Sequence, residues 1–206
     1  LEFRRVLFRS GKLVQYAIIG GFISIIAFNG LGSAGDAAFF RLQLRIQDLF
    51  VATKIGPFDY MLGLMLSFFV FSIPGLVVYV ILGIIYHLFT IFNAIVLLLL
   101  LIMLTLSTAG ISFIIASKIG HIRNVWGIVS ILSTVMTVLP PTFYPYTMIP
   151  RPFLYLLSIS PATPVAVIAQ GVFKLAPFMP EMIYIMIIET FIFVSLAIYF
   201  TRWREK

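Results

Sequence analysis

The one carboxylate deep inside a long apolar run is Glu189, in IIETFIF, so any chemistry within the membrane starts there. Burying such a group is costly, and it marks either a substrate or gating position or a hydrogen-bonded structural carboxyl. Thr190 beside it, and Asn29, Ser107 and Thr108 on other apolar runs, are the partners within its repertoire. The remaining acids do not pair: no two stand three or four residues apart, so no general acid–base couple forms on one helix face. No serine has the G-x-S-x-G elbow of a hydrolase. His87 and His121 each follow a different apolar run, which puts them on opposite sides of a membrane, where they cannot share a metal. With no cysteine, disulfides and thiolate metal sites are excluded. The phosphate loop G-x-x-x-x-G-K-[ST] is absent as well. The chain therefore reads as a non-enzyme with no catalytic residues, metal or cofactor of its own.

What must hold Glu189 in place is a set of membrane helices. Of 206 residues, 62% are hydrophobic and 10% charged, and the mean hydropathy is +1.13, far outside the range of soluble domains. Five runs are long enough to be read as spans: about 13–31, 60–85, 91–116, 125–139 and 182–200. The fourth is short and ends at Pro140-Pro141. The net charge of +7 is scattered at segment ends and forms no patch, which argues against nucleic acid. Arg41, Arg45, Lys54, Lys118, Arg123, Arg202, Arg204 and Lys206 would share one side, and Lys12, Arg151 and Lys174 the other. The richer side is expected to be cytoplasmic, together with the C-terminus. Ser72, Pro74 and Gly75 are expected to kink the second span, because proline removes a helix hydrogen bond, while Gly20-Gly21 and Gly110 permit close helix contact.

The first ten residues, LEFRRVLFRS, fit this topology poorly. They would put a basic segment outside, and they lack the apolar core and cleavage site of a signal peptide. LFRS is what the adapter-like codons CTC TTC CGA TCT encode, so residues 1–10 read as non-native. The expected whole has six spans, of which five are present in a single domain over 11–206.

Between the first two spans lies AGDAAFFRLQLRIQDLFVATKIGPF, residues 34–58, too polar to cross a bilayer and too regular for a loose loop. With Asp36 as its cap and Gly56-Pro57 as its stop, it reads as one helix over about 36–55. Phe39, Leu42, Ile46, Leu49 and Phe50 form one apolar stripe, and Phe40, Leu44 and Val51 a narrower second one. Arg41, Arg45 and Asp48 lie opposite, the last two spaced to pair. One stripe suits an interfacial helix, whereas two suit a helix that touches the membrane domain on one side and another protein on the other. Residues 140–177 are equally distinctive, rich in proline and carrying Tyr144, Tyr146 and Tyr155. They are too broken for a span and too apolar for a solvated loop, as half-helices dipping into the membrane would be. A plain tyrosine-rich interfacial belt accounts for them as well.

The stretch RIQDLFVATKIGPFDYMLG, residues 45–63, resembles the cytoplasmic loop of ABC type-2 transporter permeases. The matching parts are the Leu49-Phe50 pair, Ala52-Thr53, Pro57, Asp59 and Leu62-Gly63. A second similarity is the L-x-x-x-x-P-x-T pattern of Leu156, Pro161 and Thr163, after an aromatic and proline-rich stretch. The resemblance covers 11–206; the first span and N-terminal elbow helix of that family are missing. It implies an all-α polytopic permease in the cell membrane, paired as a homo- or heterodimer and surrounded by lipid. It also implies a separate ABC ATPase subunit, which binds the ATP and magnesium and drives export. By the same resemblance, the 41–58 segment sits in a cleft of the ATPase. Phe40, Leu44 and Phe50 are then anchors, Arg41, Arg45 and Asp48 rim contacts, Leu49 part of the interface, and Pro57 a firm junction to the next span. Tyr144, Tyr146, Tyr155 and Pro161 become candidates for an external gate. Two rival functions remain: a membrane scaffold that docks a cytoplasmic partner, and a secondary carrier or channel. The carrier is disfavoured by the absence of repeats and of intramembrane charges other than Glu189.

Overall fold

The apolar runs form helices wherever no proline pair or left-handed residue stops them. A computed structural model describes residues 2–121 and 125–200, with the side chains of all of these except 2–10, 47 and 48. Its helices are α1 (Glu2–Leu42), α2 (Ile46–Val51), α3 (Pro57–Ile85), α4 (Ile91–Lys118), α5 (Val125–Val138), α6 (Arg151–Leu157), α7 (Ala162–Val172) and α8 (Glu181–Phe200), with a 3-10 turn over Tyr146–Met148 between α5 and α6. Four of them, over Gly11–Leu42, Pro57–Ile85, Ile91–Lys118 and Glu181–Phe200, are long and apolar enough to cross a membrane. No strand occurs among the described residues. The protein is an all-α polytopic membrane protein.

The centre of the bundle is α1, which packs most extensively on α4 and then on α3 and α5. Small residues make this possible. A Cβ on Gly30 would overlap Thr108 of α4, one on Gly21 would overlap Tyr79 of α3, and one on Gly35 would overlap Trp126 of α5. Close approach lets side chains reach backbone across the interface, and Ser112 of α4 donates to the Gly30 carbonyl at 2.5 Å. Asn29 donates to Ser72 of α3 at 2.8 Å, and Ser107 of α4 meets Thr190 of α8 at 2.6 Å. Such bonds weigh more between membrane helices than in water-exposed bundles, since lipid offers no competing partner. Pro74 lies inside α3, as its position predicts.

The fourth expected span corresponds to α5, whose 14 residues reach only ~21 Å at about 1.5 Å per residue, short of the ~30 Å apolar thickness of a bilayer. Beyond α5 the chain from Leu139 to Tyr144 is irregular. Half-helix α7 supports it from within, being buried along its length up to Gln170. The apolar core over Ile18–Ala27, Leu97–Leu104, Val165–Ala169 and Met182–Met186 closes around α7.

The expected single helix over about 36–55 is divided. Nothing interrupts α1 at Asp36, which lies inside the helix and does not cap one. Ala34, Ala37 and Ala38 are buried against Ala116, Val125 and Val129, so the packing that holds the span carries it to Leu42. The break falls at Arg45, whose φ of 50° is left-handed, a conformation that costs a residue with a Cβ about 1–2 kcal/mol. Beyond it, α2 is a separate short helix, and the long stripe drawn through Phe39 and Phe50 is cut in two.

Candidate functional site

Two clusters of candidate residues sit at opposite ends of the bundle. At one end the C-termini of α1, α4 and α8 converge with α2 and the start of α3. Arg41, half-buried, donates to the carbonyls of Ser117 at 3.2 Å and Ile119 at 2.5 Å. A guanidinium at a helix C-terminus satisfies orphan carbonyls and favours the dipole, so the side chain expected at a partner's rim is engaged on α4 of its own chain. Lys118 lies 4.4 Å from the centre of the Phe200 ring, tying α4 to α8. Pro57 opens α3 at its first turn, where its missing N–H costs nothing. The Asp59 carboxylate accepts from the Gly56 amide at 3.0 Å and fixes that junction.

The anchor residues separate into two kinds. Phe50 turns inward, its ring 5.4 Å from that of Tyr60, which meets Phe113 of α4 edge-on at 5.8 Å. Phe40 and Phe50, with Ile46, Ile55, Tyr60 and Leu64, line an apolar cavity of about 480 Å3 between α1, α2 and α3. Leu44 and Leu49 face outward, 49% and 68% exposed, and Arg45 is exposed beside them. The Asp48 side chain lies outside the described residues, as do Arg123, Arg202, Arg204 and Lys206, so the expected Arg45–Asp48 pair has no place in this description.

The opposite end is closed by hydrogen bonds that the sequence did not advertise. Gln170, 1% exposed, donates from Nε2 to the carbonyls of Pro141 at 2.6 Å and Tyr144 at 3.0 Å. Its Oε1 accepts from the Tyr146 amide at 3.0 Å. One amide thus satisfies three backbone groups of a proline-broken loop, as burial away from water requires. Tyr146 is itself buried and donates to the Pro177 carbonyl at 2.6 Å. Tyr16 of α1 donates to the Leu175 carbonyl at 2.8 Å, and Tyr144 to that of Leu139 at 2.8 Å. Burial raises the pKa of both Tyr144 and Tyr146 above the ordinary phenol value, so both remain neutral donors. Pro161 caps α7 and is buried. Thr163, wholly buried, donates to the Leu157 carbonyl at 2.6 Å. Tyr155 is exposed, its hydroxyl 3.5 Å from Glu181. A glutamine alone in the apolar run PVAVIAQGVF was the available signal for Gln170.

Glu189 gains none of the partners expected for it. Ser107 and Thr190 bond each other, Asn29 bonds Ser72, and Thr108 donates to the Leu104 carbonyl. Glu189 Oε2 is buried without a hydrogen-bond partner among the described residues. His87 and His121 lie at opposite ends of α4, and no three metal-type ligands gather among the described residues.

Buried half-helices at one end and a short helix hung between two spans at the other suggest a transporter's membrane half. The family model for ABC-2 type transporter matches residues 3–174, which is most of the chain. This chain belongs to the ABC-2 type transporter family. Neither the curated proteins nor the solved structures yielded a match. Family membership makes this chain a permease component of an ABC transporter, the transmembrane partner and not the ATPase.

Proposed function

We propose that this ABC-2 permease exports its substrate with power from a separate ATPase subunit, which docks on Leu44, Arg45 and Leu49, and that the C-terminus is cytoplasmic. The observation that supports this most is the orientation of α2. Leu49 on its outer face and Leu44 in the turn before it are exposed, while its inner Phe50 abuts Tyr60 and, through it, Phe113. A push on the outer face has a packed aromatic path into α3 and α4, and Pro57 with Asp59 stiffens the junction. The cations Arg41, Arg45, Lys54 and Lys118 share this end, in accord with a cytoplasmic location. Phe40 and Phe50 then serve inside the permease, transmitting motion, while Arg41 braces α4.

Co-purification of the full-length permease with its ATPase tests the assignment. Leu49→Asp and Leu44→Asp should each weaken association at least tenfold without loss of permease, the ordinary scale of a central interface residue. Phe50→Asp should instead lower the amount of folded permease. Unchanged association in both leucine variants would sink the docking surface. A scaffold would still bind its partner but would stimulate no nucleotide-dependent transport in vesicles.

A further inference from the structure

The end closed by Gln170 holds a second cavity, of about 400 Å3, bounded by the loop after α5, by α6 and by the start of α8. Its size falls within the roughly 300–1,000 Å3 usual for small-ligand sites. Unlike the apolar cavity beside α2, it is lined by opposite charges, Arg151 and Glu181, with Tyr146, Thr147 and Phe178 between them. The two charges do not pair with one another, although they share the same lining. Both act on the Tyr146 phenol, whose pKa is raised by burial and by Glu181 and lowered by Arg151. The Tyr146 hydroxyl is engaged with Pro177, so what the ring offers a ligand is its face. Phe178, in the lining, is half exposed, and Met148 and Phe153, each next in sequence to a lining residue, are exposed too, so apolar side chains accompany a dipolar pocket.

A lone anion entering this pocket meets Glu181, and a lone cation meets Arg151. A ligand carrying both charges satisfies both. We propose that this cavity binds a phosphate–ammonium zwitterion, the headgroup chemistry of an ethanolamine phospholipid. The phosphate lies on Arg151 and Thr147, and the ammonium on Glu181 and the faces of Tyr146 and Phe178. Arginine suits the phosphate by its planar fork of donors, and aromatic faces attract the ammonium. The apolar side chains that accompany the pocket suit the acyl chains of a lipid that carries this headgroup. The site is independent of ATPase docking at the other end.

The test is retention of lipid by the full-length permease taken from nanodiscs of equal phosphatidylethanolamine and phosphatidylglycerol, read by native mass spectrometry. Wild-type protein should retain phosphatidylethanolamine in preference. Arg151→Gln should cut phosphatidylethanolamine retention about tenfold, the scale of one charge-assisted hydrogen bond, and Glu181→Gln should cut the preference by a similar factor, in part by raising phosphatidylglycerol retention. Competition by soluble phosphoethanolamine would show that the headgroup suffices, and its failure beside loss in both variants would show that the lipid-borne form is the ligand. Equal retention of the two lipids by the wild-type protein would overturn the proposal, whatever the variants do.

Discussion

The two ends of this permease solve the same problem, a chain that reverses at the membrane surface, by opposite means. At the Gln170 end the reversals are drawn into the bundle, and their backbone groups are satisfied by Gln170, Tyr16, Tyr146 and Thr163. At the Arg41 end the reversal is pushed out. There α2 hangs beside an apolar cavity, with leucines in the open and a left-handed Arg45 at its hinge. An end whose reversals are tied by this many hydrogen bonds resists deformation, because moving one of the bonded groups strands another. An end held by a few aromatic contacts and two helix caps can be displaced by a partner. On the docking we propose, the compliant end is the one that meets the ATPase.

The largest expected blow to this contrast is Gln170→Leu. The leucine fits the volume but leaves the carbonyls of Pro141 and Tyr144 and the amide of Tyr146 without partners. At about 1–3 kcal/mol for each stranded buried group, the loss should be roughly 3–9 kcal/mol in denaturant unfolding of the purified permease. Loss no greater than that of Leu49→Asp would erase the difference between the ends.

Next in size is Gly20→Ala. A Cβ there would press on the Thr142 carbonyl and lie 2.8 Å from the Phe143 ring. Because the obstacle is backbone of the plugged loop, it cannot rotate aside, and overpacking of this kind costs about 1–3 kcal/mol. Gly32→Ala, where nothing lies within 4 Å, should instead stabilise by up to about 1 kcal/mol through helix propensity. A shared sign for both in thermal unfolding would mean that the loop yields.

At the compliant end, Arg41→Met keeps the aliphatic bulk and removes the donors to Ser117 and Ile119. Its cost should be about 1–2 kcal/mol, smaller than that of Gln170→Leu because water reaches the α4 terminus. The variant should retain ATPase binding, since Leu44 and Leu49 are untouched. Loss of binding with unchanged stability would return Arg41 to the partner's rim.

Much of this plan was legible in the sequence. Period, length and apolar composition located α3, α4 and α8, and lysine and arginine sorted the ends in a way that agrees with Arg41 and Lys118 meeting α4 and α8. The helical character of the short segment was legible too, but its division was not. An Arg at φ 50° carries no local signature, and the helix over 34–42 is set by Ala116, Val125 and Val129, distant in sequence. Phe40 and Phe50 looked like the outer anchors because a helical wheel has no knowledge of which neighbour fills which side. Glu189 was assigned Ser107, Asn29 and Thr190 from type alone, whereas each found a nearer hydroxyl or amide. Gln170 was passed over because one polar residue in an apolar run defines no pattern until its three acceptors and donors are brought together.

The smallest expected effect tests the plugged end from its solvent side. Tyr146 is neutral in its bond to Pro177, and its pKa is raised by burial and by Glu181 against a lowering by Arg151. A folded pKa above the unfolded value of about 10 means that the neutral phenol's contribution is intact below pH ~10. It is lost as pH climbs through the higher folded value. Tyrosinate absorbance should therefore lose one of its late-titrating phenols in Tyr146→Phe. Glu181→Gln should bring that titration to lower pH and Arg151→Gln to higher pH. Shifts in the reverse sense would mean that neither charge faces the ring, and the hydroxyl would then be held by burial alone.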